Sequence, residues 1–330
     1  MAQVSISDVV VPAEFTSYQV ENSFVNTAFY QSGVAIRNGV IEEQLSAGAM
    51  SFTVPTWGDA GETEPNYSDD NAAHIAGTLK VSAYPQVVRK AFVNQGWSVA
   101  NLAAELSGSD PLQRIQSRVQ DYWNRQMSFR LIASLNGILA ANVANNSSDM
   151  VLDMTGTSTP NFSAYAVINA AATIGDRIED FKCIAMHSAV YAEALANDLI
   201  QFIPQSQGLP LKTFRGLAVV IDDGLWYGGT APNIKYTTVL FGEGAVGYGF
   251  VEPRMGYGTE IFRQPSAGQG GGITQLWSRA NLAIAPLGWS FADGTLAGDS
   301  PSLTELATAS HWTRVSVSRK QCPIAFLLTK

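Results

Sequence analysis

His187 and Ser188 stand side by side, the pair in this chain most open to a chemical reading. A serine hydrolase needs its nucleophile on a strained elbow, with a base and an orienting acid placed around it by the fold. No GxSxG occurs in the sequence, and Ser188 reads more simply as the N-cap of a helix that follows. The histidines are His74, His187 and His311; no two fall at i, i+4 and none neighbours a cysteine, so zinc-site spacing is missing. Cys183 and Cys322 lie far apart, outside any CxxC, and read as buried thiols. Asp69–Asp70 and Asp222–Asp223 are carboxylate pairs in turn-like stretches, where aspartate bonds the local backbone. Asp59, Glu62, Asp69 and Asp70 together offer the clustered oxygens that calcium prefers, although a solvated acidic loop is the simpler reading. The glycines Gly268, Gly270, Gly271 and Gly272 do not lead from a strand into a helix, and no Lys-Ser/Thr follows, so they read as a mobile loop and not a phosphate cradle. These residues predict no enzyme, no cofactor and no metal.

The elements around them are organised by one stretch, from Asp110 to Asn142. Asp110 suits an N-cap and Pro111 the first helical position. Leu112, Ile115, Val119, Tyr122, Trp123, Met127, Leu131, Leu135 and Ile138 recur in steps of three and four, one apolar stripe. The polar run from Asn142 to Ser148 is expected to end the helix. Such a helix spans roughly 50 Å, several times the usual length, and suits an internal strut.

Before it, Val9 to Pro12 reads as extended and Phe15 to Phe29 as a short helix. Met50 to Pro55 alternates like a strand, and β-like residues resume from Thr78 to Val88, with Leu79, Val81 and Val87. The polar, acidic tract between them makes the pair a protruding hairpin. Open strand edges of this kind are a liability on a monomer and sensible against a neighbouring subunit. Trp97 to Leu106 reads as a short helix. After the strut, Met150 to Met154 is a short strand and Asn161 to Asp180 a helix capped by Ser163, with Val167, Ile168, Ala171, Ile174 and Ile178 on its apolar face. Cys183 to Met186 is a strand, followed by a helix through Val190, Tyr191, Leu195 and Leu199. Gly208 to Gly216 reads as a loop. Leu217 to Ile221, Tyr236 to Phe241, Ala245 to Phe250 and Thr274 to Pro286 read as strands, and Met255 to Gly258 as a turn. Leu287 to Phe291 continues the last strand after a turn, Leu303 to Ala309 is a helix capped by Ser302, and Thr313 to Ser318 and Ile324 to Leu328 close the chain as strands. Helices and strands mix without a βαβ rhythm, which predicts an α+β fold.

Only 15% of the 330 residues are charged, below the usual quarter, and the net charge is −8. Neutral surface suits a protein packed against copies of itself. The acidic balance opposes a dedicated nucleic-acid binder, which needs clustered Lys and Arg. Met1 to Pro12 has neither a basic region nor an apolar core, so no signal peptide is expected. No apolar run is read as long enough to span a bilayer. A soluble protein made in the cytoplasm is expected.

Several stretches in order carry a resemblance. They are Ser98 to Leu106 with the Asp110–Pro111 helix start and Tyr122–Trp123, Ala185 to Tyr191 (AMHSAVY), and Asp198 to Pro204 (DLIQFIP). Gly216 to Asp223 (GLAVVIDD), Tyr236 to Gly247 (YTTVLFGEGAVG) and Trp312 to Leu328 complete the set. The chain resembles the major capsid proteins of tailed bacteriophages, over nearly its whole length from Val9–Pro12 onward.

That resemblance implies an HK97-like capsid fold: an N-terminal arm at 1–45, an extended β-hairpin loop at 46–96, and a peripheral domain at 97–160 and 287–330 carrying the spine helix 110–142. The axial domain would occupy 161–286. It implies hexamers and pentamers that build an icosahedral phage head around double-stranded DNA, within a virion made in a bacterial cytoplasm. Phe52, Val54, Trp57, Asp59, Glu62, Asp69 and Asp70 are the expected intersubunit residues. Partners implied are further copies of the chain, with portal, scaffolding and decoration proteins, weakly and non-specifically held DNA, and no membrane. Lys80 lies where some relatives crosslink, but no matching lysine, asparagine and acidic residue are found. No long helical scaffolding segment precedes the arm, so a scaffold is expected to be separate or already removed. An encapsulin-like compartment enclosing protein cargo, and a hydrolase using His187 and Ser188, are the alternatives.

Overall fold

The computed structural model describes residues 33–57, 64–71, 73–81, 83–107, 111–203, 211–230, 233–254, 258–292, 294, 296–316 and 318–330. The predicted extended start at Val9–Pro12, the Phe15 to Phe29 helix, the Asp110 cap, Asp59, Glu62 and most of the turn at Met255 to Gly258 lie outside them.

The long helix runs Pro111–Asn145, 35 residues, about 52 Å at 1.5 Å per residue. It passes Asn142 because that side chain serves the helix end instead of leaving it. Asn142 Nδ2 donates to Asp149 Oδ1 at 2.7 Å, and its Oδ1 accepts from the Met150 N–H at 3.1 Å. Ser147 and Ser148, at φ +53° and +57°, turn the chain back. Leu112, Ile115 and Val119 are half-buried, whereas from Trp123 the stripe is buried, and Leu131 to Ala141 is enclosed almost all round. Contrary to the expectation that no segment could span a bilayer, this helix is long and apolar enough to do so; 67% of its most apolar 18-residue window is buried inside the protein, which makes it a core helix.

The strands follow in chain order. β1 (Ala35–Arg37) precedes a helix at Gly39–Ser46. β2 (Ser51–Trp57) and β3 (Ala83–Arg89) form a two-stranded ribbon, followed by β4 (Ala91–Ala100) and a helix at Asn101–Ser107. Past the long helix come β5 (Val151–Asp153), the Ala164–Ala172 helix, β6 (Phe181–Met186) and the Ser188–Ala196 helix. β7 (Gln201–Ile203), β8 (Leu211–Phe214), β9 (Leu217–Ile221), β10 (Trp226–Gly228) and β11 (Lys235–Gly242) are next. β12 (Val246–Val251), β13 (Thr259–Gln264), β14 (Ile273–Pro286) and β15 (Trp289–Phe291) precede a helical turn at Leu303–Leu306, then β16 (Trp312–Arg314) and β17 (Ile324–Thr329).

One sheet has eight strands, in the order β5-β17-β11-β6-β9-β8-β7 with β10 beside β11. Its central strands are buried on both faces, which is why they read as continuous apolar runs. Ile324, Phe326 and Leu328 alternate with Ala325 and Leu327: the first set packs with Leu131, Leu135 and Ile138 of the long helix, the second with Ala166, Val167 and Val190 of the two shorter helices. A second sheet has five strands arranged on β14, which pairs with β4 on one side and with β12 and β13 on the other; β1 joins β12. Trp123 ties the long helix to this sheet, its Nε1 donating to Ser278 Oγ at 2.9 Å. The sheets do not follow the expected domain boundaries. β12 to β14 share a sheet with β4, and β17 lies in the eight-stranded sheet.

Several expectations are corrected. Residues 97–100 are strand, not helix, because Trp97 to Ala100 pair with Leu276 to Ile273. Residues 78–81 carry no regular structure, and β3 begins at Ala83. The segment predicted as one helix to Asp180 stops at Ala172; Gly175 at φ +81° breaks it, and a 3₁₀ turn follows. Val167, Ala171 and Ile174 are buried, whereas Ile168, within the helix, and Ile178, past the break, are exposed. β8 occupies part of the stretch expected to be loop, and β10 and β13 are strands the sequence pattern does not announce. His187, not Ser188, caps the Ser188–Ala196 helix.

Candidate assembly surface on the ribbon

The ribbon is a full antiparallel ladder from Ser51↔Arg89 to Trp57↔Ala83. The Lys90 N–H bonds the Met50 carbonyl at 2.9 Å, whereas the Val87 N–H turns outward to Ser290 Oγ at 2.9 Å. The 53↔87 and 55↔85 pairs are therefore the non-hydrogen-bonded ones. Pro55 and Pro85 face each other at such a pair. Their missing N–H groups fall on the outer edges, so the ladder is intact while both edges are blunted against strand addition.

The ribbon's base belongs to the subunit's own core. Phe52 and Val88 pack with Ile41 and Leu45 of the Gly39–Ser46 helix and with Ala283 and Ala285 of β14, and Val54 lies partly buried against them. Lys90 is wholly buried at the junction with β4; its Nζ donates to the Ala47 carbonyl and stands 6.0 Å from the Phe52 ring centre. Burial pushes its pKa below the usual lysine range. Gln86 Nε2 reaches the Pro286 carbonyl at 2.7 Å.

Beyond the ladder the chain changes. Every described residue from 64 to 81 is exposed. Tyr67, Ile75 and Leu79 are 80%, 92% and 66% exposed. The tip is held by local bonds: Asn66 Nδ2 to the Gly77 carbonyl at 2.7 Å, and the Asn71 and Ala73 N–H groups to Asp69 Oδ1 and Asn71 Oδ1, each at 3.0 Å. His74 pairs with Asp69.

The expected intersubunit residues thus divide. Phe52, expected on a neighbour, is 7% exposed and filled against its own chain. Trp57 ends β2, Asp69 and Asp70 are exposed on the tip, and Asp59 and Glu62 lie outside the described residues. Tyr67 and Ile75 escape the sequence reading. Their only signal is an apolar side chain isolated in a polar tract.

The chemically suggestive residues are occupied elsewhere. His187 Nδ1 accepts from the Ala189 N–H at 3.0 Å, and its ring lies against Tyr236, with centroids 4.6 Å apart. Its Nε2 is 3.9 Å from Asp223. A nitrogen engaged by a helix cap is not positioned to take a proton from Ser188. Asp222 accepts from the Gly224 N–H at 2.8 Å, the local turn expected of it, and burial raises its pKa. His311 is buried and stacks on Phe291 at 5.5 Å. Cys183 and Cys322 are free and buried. Among the described residues no three His, Cys, Asp or Glu side chains are grouped to hold a metal.

A long helix crossing a β14-centred sheet, a second mixed sheet covered by short helices, and a projecting ribbon define an α+β shell protein of the HK97 type. The chain is similar to the Cyanophage Pam1 capsid (TM-score 0.57, 10% identity, 100% of this chain and 99% of that one) and to the capsid of Ralstonia phage GP4 (TM-score 0.57, 10% identity, 100% and 98%). The capsid of a native GTA particle is similar at TM-score 0.51 and 12% identity, over 97% and 95% of the two chains. No protein-family profile matches. In sequence, the major capsid protein of Bacillus phage SPP1 is 32% identical over 326 residues, covering 97% of this chain and 96% of that protein. The chain belongs to the major capsid proteins of tailed bacteriophages, and its place is the virion shell.

Proposed function

We propose that the chain assembles into hexamers and pentamers of an icosahedral head around double-stranded DNA, with the ribbon tip lying on a neighbouring subunit. The observation that carries this reading is the exposure of Ile75 and Leu79 on a segment with no core of its own. Apolar side chains so placed lose stability in water and gain it on burial. Because Pro55 and Pro85 blunt the strand edges, the contact is made by side chains. Interfaces of roughly 1,000–2,000 Å² each suffice when every subunit makes several.

In this reading the residues around 1–45 act as an arm and 46–96 as the extended loop. The division into a peripheral domain at 97–160 and 287–330 and an axial domain at 161–286 is kept in outline. The sheets support a refinement: the β14 sheet with the long helix as the peripheral body, the eight-stranded sheet as the axial one. Phe52 and Val54 serve the ribbon's base, while Trp57, Asp59, Glu62, Asp69 and Asp70 belong to the reach beyond it. The shell is a structural assembly without catalysis, made in the bacterial cytoplasm. Portal, scaffolding and decoration proteins join it, and the acidic balance keeps DNA contacts weak.

Deleting residues 59–70 tests this directly. The shortened chain is expected to fold and fail to form stable shells; normal shells would overturn the proposal. The contents of shells produced in the native infection separate a virion, holding DNA, from a compartment holding protein.

A further inference from the structure

We infer that Ser290, Ser300 and Arg89 form a polar brace that sets the direction in which the ribbon leaves the subunit. The inference rests on the reading that the ribbon must reach a neighbour.

The ribbon's root is gripped along its outer side. Ser290 Oγ accepts the outward Val87 N–H at 2.9 Å. Two residues on, the Arg89 guanidinium donates to the Asp299 carbonyl at 2.8 Å. At Phe92, just past the junction into β4, Ser300 Oγ accepts from the N–H at 2.8 Å and donates to the carbonyl at 3.2 Å. One hydroxyl thus satisfies both outward groups of a residue on the open edge of β4, as a neighbouring strand would. All these partners lie more than 200 residues away in sequence.

The brace is itself tied down. Arg130 of the long helix donates to the Pro301 carbonyl at 3.0 Å. Glu305 accepts from the Ala297 N–H and the Ser302 N–H, each at 2.8 Å. The segment 296–302 therefore joins ribbon, β4 and long helix at one place. Packing and hydrogen bonds share the work: Leu296 packs against the main core and Pro301 is buried, while a cavity of about 20 Å³, room for a single water and lined mostly by apolar side chains, lies beside Arg89 and Arg130. Bonds of this kind fix direction while adding little to global stability. A ribbon whose outer side is untied would still be attached through Phe52, Val88, Gln86 and Lys90, with its heading less constrained.

The test compares the full-length wild type, the double variant Ser290→Ala/Ser300→Ala, and Ser300→Thr, which keeps a hydroxyl. Amide hydrogen exchange of the unassembled subunit is read first. Exchange at 83–92 and 51–57 is expected to rise about tenfold in the double variant, with the long helix unchanged and the threonine variant near wild type. Unchanged exchange at the ribbon would overturn the brace, as would an increase spread equally over the long helix. Shell diameters by electron microscopy are read second. Mixed diameters in the double variant are expected, and uniform wild-type shells from a loosened ribbon would overturn the link to shell geometry. If the wild type formed neither shells nor isolated hexamers and pentamers, the assembly reading would fail while the exchange result still decided the brace.

Discussion

Gly137 of the long helix faces Leu306 so closely that a Cβ would stand 2.1 Å from the Leu306 carbonyl oxygen and 2.4 Å from Trp312 Nε1. The Trp312 indole donates to that same carbonyl at 2.7 Å. Helix backbone, carbonyl and indole therefore meet at a point that any side chain would fill. Replacing Gly137 with alanine gains about 1 kcal/mol of helix propensity and costs about 3 kcal/mol of overpacking against atoms that cannot all move. A net loss of about 2 kcal/mol is expected in urea unfolding of the subunit.

Phe52 and the tip residues should separate folding from assembly. Phe52→Ala empties a packed core site and is expected to cost about 3 kcal/mol of subunit stability. Ile75→Ser with Leu79→Ser touches exposed side chains and should leave subunit stability within about 0.5 kcal/mol while lowering shell yield. Urea unfolding and sedimentation of the same preparations check both.

Glu305 makes the helical turn at Leu303–Leu306 acid-sensitive. The Ala297 and Ser302 N–H groups, with the Ser302 hydroxyl, hold its carboxyl down to about 2 from 4.5. A lowered carboxyl pKa contributes stability that is complete above the unfolded value and lost as pH falls toward the folded one. Loosening at 296–306 is expected between about pH 4.5 and pH 2. Hydrogen exchange across that range should show it, and Glu305→Gln should flatten the dependence.

Lys90 acts at the opposite end of the scale. Burial lowers its pKa from 10.5, so the unfolded chain binds more protons wherever pH lies between the lowered value and 10.5. Its contribution to stability therefore rises as pH rises through that window. Unfolding midpoints in urea, followed as pH rises toward 10.5, should climb more steeply in wild type than in Lys90→Met.

Much of this was legible in the residues. The three-and-four spacing from Leu112 to Ile138 marks the long helix, and runs such as Ile324 to Leu328 mark strands buried on both faces. The misreadings have tertiary causes. Trp97 to Ala100 carries no strong strand pattern of its own and is strand because β14 lies beside it. The polar run from Asn142 reads as a stop, but the helix continues to Asn145 while the Asn142 side chain accepts from the Met150 N–H eight residues on. At Phe52 hairpin alternation marks an apolar face without saying what covers it, and within the subunit that cover is the helix at Ile41 and Leu45. The brace was invisible, since single serines at 290 and 300 carry no pattern and act only through partners more than 200 residues away.

The central claim is self-assembly, and electron microscopy of the purified protein, alongside sizing in solution, tests it most directly. Hollow icosahedral shells, or isolated hexamers and pentamers, are the expected result. A small, stable dimer with no larger species at any salt concentration would contradict it.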